Sequence, residues 1–234
     1  GKTLCGSADG PNTALHMVSA FATDSGVCLG QEGASGKGRE LEGVRALLGA
    51  LTLKGCTVTL DALGCQKDIA AQIVAAGGDY VLAVKSNQGG LSEAVQDFFD
   101  EGQRSGFGHT PPDCVETVEK HHGRIETRRY TWVKRLDWME RPVRNQWKKI
   151  GGVGMVERRR EVAGKVSVER AYYIGSQGID SARTLAKAAR GHWGVENQLH
   201  WVLNVVFCED ECRIRKGHAA RNFSALRKFA LSLL

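Results

Sequence analysis

The sequence predicts a mixed α/β fold carrying a basic, β-rich insertion, and three observations lead there. A strand–helix–strand pattern of about thirty residues runs from Thr57 to Val84. Residues 115–175 alternate in the manner of strands, and from Ser181 onward the apolar spacing becomes helical. At 234 residues with 42% hydrophobic and 25% charged side chains, the chain has the makings of a substantial core.

The elements follow in order. Residues 14–22, ALHMVSAFA, read as a strand; Asp24-Ser25-Gly26 turns the chain, and Val27 to Gly30 returns as the second arm of a hairpin. The Gly-rich loop Gly33 to Gly38 precedes a helix from Glu40 to Leu51, whose Leu41, Val44, Leu47, Leu48 and Leu51 keep helical spacing. Thr57 to Leu60 is a buried-type strand that delivers Asp61 at its C-terminal end. A helix from Asp68 to Ala76 stops at Gly77-Gly78, and Tyr80 to Val84 is a second buried strand, closing on Lys85-Ser86-Asn87-Gln88. This unit reads as a right-handed βαβ crossover. The chain turns loop-like from Gly102 to Pro112. Several short strands follow, with turns at Gly123, Gly151-Gly152 and Gly164, and helix is expected from Ser181 to Leu234.

Charge is unevenly placed. Residues 120–170 hold 15 Lys or Arg against 6 Asp or Glu, whereas the remainder has a net charge of −3. Two readings stand: a solvated surface, or a face for a polyanion whose counterions are released on binding. Tyr130, Trp132, Trp138 and Trp147 are interleaved with the basic residues, which favours nucleic acid. No apolar run is long enough to span a bilayer, so a cytoplasmic protein without a membrane partner is expected. Seven scattered cysteines read as reduced thiols. Cys208 and Cys212 lack the second pair that a tetrahedral zinc site needs, and structural zinc stays as the lesser alternative.

Two places carry candidate chemistry. Asp61 stands just past the carboxyl end of a strand, where open α/β sheets place functional groups, although Asp also commonly caps a turn there. In ARGHWGVENQLHWVLN, residues four apart differ by about 40° around a helix. His192, Glu196 and His200 therefore form one stripe, and Trp193, Asn197 and Trp201 a neighbouring one, with the indoles expected to pack the helix down. A polar stripe on a half-buried helix is the alternative. A zinc-protease site is disfavoured, because the His residues are eight apart and the H-E-x-x-H order is absent.

These segments, taken together, resemble DDE transposases of the ISAs1 group, the H-repeat-associated proteins of the IS4-like superfamily. The resemblance is carried in order by GKTLCGS, LHMVSAFA, LTLKGCTVTLDALGCQKDIA, GGDYVLAVKSNQ, YYIGS and ARGHWGVENQLHWVLNVVFCEDECRIRKGHAARNFSALRKFALSLL, from the first residue to the last. It implies an RNase H-like fold spanning 1–234: a three-stranded antiparallel start, parallel strands with helices, and a β-rich insertion over 102–175 before the last catalytic helix. It further implies a two-metal site for Mg2+ or Mn2+ built from Asp, Asp and Glu, with Asp61 as the second Asp and Glu196 as the Glu. DNA is then the partner, both the ends of the element and its target, handled by a homodimer on paired ends. His192 and His200 are expected to contact phosphate or Glu196. Lys85, Arg158, Arg159, Arg160, Arg213, Arg215, Lys216 and Arg221 are expected to contact the DNA backbone, Lys85 having an ordinary solvent-facing loop as its alternative. The pattern departs at three points. The first Asp of the family lies immediately before the Gly-Lys-Thr-Leu block, with which this chain begins, and Asp9 and Asp24 are out of register with it. Cys5 stands where the family has Arg, and Asn204 where it has Asp. The chain as given, lacking that Asp and the family's N-terminal segment, is expected to be inactive or nearly so.

Overall fold

The computed structural model describes residues 1–8, 13–34, 38–121 and 123–233; Asp9 and residues 35–37 of the Gly33–Gly38 loop lie outside the described residues. The chain divides into two compact units. One comprises residues 1–52 and 190–234, the other residues 53–189.

The first unit opens with a three-stranded antiparallel sheet: β1 (Lys2–Thr3), β2 (His16–Ala22) and β3 (Val27–Ala34), in that order. The expected turn is present. The Gly26 amide donates to the Ala22 carbonyl, and Gly26 adopts φ +70°, which its missing Cβ permits. Strand β3 runs four residues beyond the expected end. Helix α1 (Glu40–Ala50) buries Leu47 and Leu48 and brings Gly43 against Val18.

The second unit holds β4 (Thr57–Leu60), α2 (Lys67–Ala75) and β5 (Asp79–Val84), the two strands being parallel with Leu60 opposite Leu82. Helix α2 ends as expected: Gly77 has φ +79°, and Gly77 and Gly78 donate to the carbonyls of Val74 and Ile73. A 17-residue helix, α3 (Gly89–Ser105), follows where the sequence suggested none, and it corrects the expected loop at Gly102. Its Leu91, Val95 and Phe99 lie on one buried stripe, masked in the sequence by Gly89-Gly90 and by the polar residues between them.

The expected short strands are four long ones: β6 (Asp113–His121), β7 (Arg124–Val133), then, after the single-turn α4 (Arg141–Arg144), β8 (Ile150–Val162) and β9 (Lys165–Ser176). Gly123 and Gly164 sit at turns with positive φ. Gly152 does not: it lies in β8, where a Cβ would come within 2.5 Å of Trp132. Strand β9 pairs with β5 on one side and β8 on the other, giving the six-stranded order β4-β5-β9-β8-β7-β6. Helix α5 (Ala182–His192) packs Ala182, Leu185, Ala188 and Ala189 onto Tyr130, Trp132, Val81 and Ile179. Asp113 Oδ2 accepts from its first amide, and Ser181 Oγ accepts from the amide of Thr184.

The first unit resumes with α6 (Trp201–Val205) and α7 (Ala219–Leu231), so the expected helical end is interrupted between them. Helix α7 is turned polar side inward. Lys228 is buried and donates to Gln31 Oε1 at 2.6 Å, Ser224 donates to buried Glu209, and Phe229 and Leu226 face outward.

Candidate active site

Asp61 is exposed and follows β4 directly, at the carboxyl end of the parallel pair. Its Oδ1 accepts from the Gly64 amide at 3.2 Å, so the carboxylate caps its own turn. Gly64 cannot be larger without movement, because a Cβ there would lie 2.7 Å from Leu60 Cβ. Lys85, at the end of the neighbouring strand, is exposed.

Glu196 lies in a π-helical stretch, Val195–His200, where i→i+5 bonding inserts an extra residue into the turn; such bulges recur at functional sites. Its Oε2 is 3.2 Å from Nδ1 of His200, a hydrogen bond in the tautomer protonated there, and just over half of its side chain is exposed. The indoles do not seat this segment. Trp193 and Trp201 are 60% and 57% exposed, and Leu199, His200 and Leu203 form the buried face. The reason is rotational: Trp201 is two residues, about 200°, from Leu199 and from Leu203, so burying the leucines turns the indole out. His192 is half-buried.

Burial pushes the His200 imidazole below its ordinary range, and the Glu196 carboxylate offsets part of that shift. With the folded value below the unfolded one, the unfolded chain binds more protons near and below pH 6.5, so stability is full above that pH and declines as pH falls through it. Urea midpoints at pH 7.5 and 5.5 are expected to show this loss, and to show less of it in His200→Gln. An equal loss in the variant would remove His200 from the account.

The aromatic residues among the basic run do not form a base-stacking surface. Tyr130 and Trp132 are 1% exposed and Trp147 3%, all in the core, whereas Trp138 stacks on Phe98 with ring centroids 4.1 Å apart. Arg128, Arg158 and Arg160 share a face of the sheet with Tyr130 and Trp132, so position along the strands and not alternation separates them: the two aromatics lie under α5, and the arginines lie further towards the hairpin turns. Arg158 pairs with Glu169 across to β9, Arg159 with Glu161 at 3.5 Å, Arg128 with Glu119 and Glu126, and Arg170 with Glu157 and Asp100. The local positive charge is therefore laced with carboxylates. Arg160 points to the same face as Arg158 and is exposed. In the other unit, Arg213 and Lys216 are exposed, Arg215 donates to the Gly6 carbonyl, and Arg221 pairs with Glu32.

Asp61 and Glu196 each present hard carboxylate oxygens to solvent, a donor type that suits Mg2+ or Mn2+. No group of three His, Cys, Asp or Glu side chains comes together as a metal site among the described residues. The seven cysteines are free thiols, and burial pushes that of Cys65 up to about 12. No helix among the described residues is long and apolar enough to cross a membrane.

Residues 11–233 match the family described as Transposase DDE domain. The chain is 40% identical over 239 residues to "Putative transposase YncI" of Escherichia coli, covering all of this chain and 60% of that one. It is 38% identical over 240 residues to "H repeat-associated putative transposase YhhI" of the same species, covering all of this chain and 62% of the relative. It thus spans about three-fifths of the length of these curated relatives. With the match running along nearly the whole chain, the protein belongs to the DDE-domain transposase family.

Proposed function

We propose that the protein is the catalytic part of a DNA transposase of the ISAs1 group, within the IS4-like superfamily, with an RNase H-like fold and residues 102–175 as its β-rich insertion. Its substrates are the ends of its own element and a target DNA, engaged as a homodimer. The observation that carries this reading is Asp61, an exposed carboxylate at the carboxyl end of β4, in a chain whose family is defined by such carboxylates. When bound, Mg2+ or Mn2+ supplies charge stabilisation to the attacking and leaving oxygens of an in-line phosphoryl transfer. Asp61 and Glu196 would hold the cation. His200 keeps Glu196 oriented, and Lys85, His192, Arg213, Arg215 and Lys216 are proposed to meet the DNA backbone. Asp61 and Glu196 are two of the three carboxylates the resemblance implies. An otherwise identical chain extended by the family's preceding segment, with its Asp before Gly1, is the form to assay. Metal-dependent nicking and joining of the element's ends supports the proposal, and a metal-replete extended chain with neither activity refutes it.

Asn204, where the resemblance has Asp, favours a second reading: a DNA-binding protein that has lost its chemistry. Its Oδ1 is buried and makes no hydrogen bond among the described residues. Both readings predict salt-dependent DNA binding, with log affinity falling linearly in log salt by about 0.9 per phosphate neutralised. Because Arg158 and Arg159 already have carboxylate partners, Arg160→Glu is expected to flatten that slope more than Arg158→Glu or Arg159→Glu. A slope unchanged in all three would take the hairpin ends out of the DNA interface.

A further inference from the structure

The segment that carries Asp61 is held by two sets of bonds. The first is internal to residues 61–66. The Gly64 amide donates to Asp61 Oδ1 at 3.2 Å, the Cys65 amide to the Ala62 carbonyl at 3.2 Å, and the Gln66 amide to the Gly64 carbonyl at 2.9 Å. Such local bonds shape a turn without fixing its position on the sheet. The fully buried Cys65 supplies one anchor.

The second set comes from the next strand. Asn87 Nδ2 donates to the Ala62 carbonyl at 2.6 Å, and Gln88 Nε2 donates to the Cys65 carbonyl at 2.9 Å. Both amides sit on a single 3-10 turn, Ser86–Gln88, closed by the Gln88 amide on the Lys85 carbonyl at 3.0 Å. That turn runs without a break into α3, whose Leu91, Val95 and Phe99 are buried. Because β4 and β5 are parallel neighbours, both connections leave the sheet at the same end, and residues more than twenty apart in sequence meet.

We propose that Asn87 and Gln88 are positioning residues for Asp61: their side-chain amides clamp the two carbonyls that flank its turn and so fix where the carboxylate points. The inference rests on the reading of Asp61 as a functional carboxylate. The residue type suits the task. An amide donates to a carbonyl without bringing a charge, so it neither neutralises Asp61 nor competes with it for a cation, as a Lys or Arg at the same place would. It also separates Asn87 and Gln88 from Lys85 in the same block, whose ammonium stays exposed.

The test uses the 234-residue chain with Asn87→Leu, Gln88→Leu and the double variant, and Asp61→Asn as reference. Amide exchange at Gly64 and Cys65 is expected to speed up about tenfold in the double variant, the scale of a lost hydrogen bond or two. Exchange in β5 and α3 and the thermal midpoint are expected to stay unchanged. Gln88→Lys, which keeps a donor of sufficient reach, should recover most of the protection. Mn2+ affinity, read from the free-ion electron paramagnetic resonance signal, is expected to fall about tenfold with the double variant, as when a supporting partner of a ligand is removed. Exchange at residues 61–66 within twofold of the parent overturns the proposal. So does a rise spread evenly over β5 and α3 with a lowered midpoint, which would mark a purely structural role. Unchanged Mn2+ affinity in the double variant, with Asp61→Asn abolishing binding, overturns it too. If Asp61→Asn leaves Mn2+ binding intact, the reading of Asp61 as a ligand fails instead, and the clamp is then decided by the exchange data alone.

Discussion

Asp61→Asn and Glu196→Gln, each placed in the extended chain, are expected to lower metal-dependent strand cleavage by about a thousandfold or more while leaving DNA affinity within a fewfold. Each change keeps the side-chain volume and removes one negative charge from the proposed cation site. Metal stabilisation of the transferring phosphoryl group is worth several kcal/mol, and each 1.36 kcal/mol is a factor of ten in rate. Neither carboxylate supports the core: Asp61 is exposed, and Glu196 has just over half of its side chain in solvent. Loss of activity should therefore come without loss of stability. Single-turnover cleavage with matched thermal melts checks both halves. Retained cleavage in either variant would remove that residue from the catalytic set, and a collapse in melting temperature would make it a structural residue.

Trp132→Ala is expected to be the most destabilising single change in the second unit, by about 3–5 kcal/mol. Its indole is 1% exposed and lies across three glycines. A Cβ at Gly152 would come within 2.5 Å of the ring, one at Gly175 within 2.8 Å and one at Gly154 within 3.1 Å. The glycines make a flat bed that only a large planar side chain fills, so truncation opens a cavity that the strands cannot collapse into. The same geometry forbids the reverse change. Gly154→Val would also drive into Leu185 on α5, 2.5 Å from the added Cβ, and overpacking of this kind costs about 1–3 kcal/mol. Urea unfolding of the two variants gives both numbers. A loss below about 1 kcal/mol for Trp132→Ala would mean that the site relaxes around the void.

Much of this protein was legible in order along the chain. The Thr57–Val84 crossover stands nearly as read, down to the Gly77-Gly78 stop, because each of its signals is local: a β-branched run, a 3.6-residue stripe, a glycine at positive φ. Asp61 could be placed at a strand end for the same reason. The helix Gly89–Ser105 was missed because its three core residues are four apart in a polar background that also holds glycine at its start and near its end. Gly152 was misread as a turn, since nothing nearby in the sequence says that Trp132 will lie upon it.

The sequence by itself determined the mixed α/β class, the order of most elements, the two carboxylates worth testing and, through its ordered blocks, the family. The tertiary structure decided what each polar and aromatic group does. It inserted β9 between β5 and β8, set Arg158 against Glu169, buried Tyr130, Trp132 and Trp147 and turned Trp193 and Trp201 outward. It also committed the amides of Asn87 and Gln88 to the turn behind Asp61. The division has one physical cause. Periodicity and turn chemistry are set by neighbours within a few residues, and so they can be read from the chain. A side chain's partner across a sheet depends on register between segments far apart in sequence, which only the packed core selects.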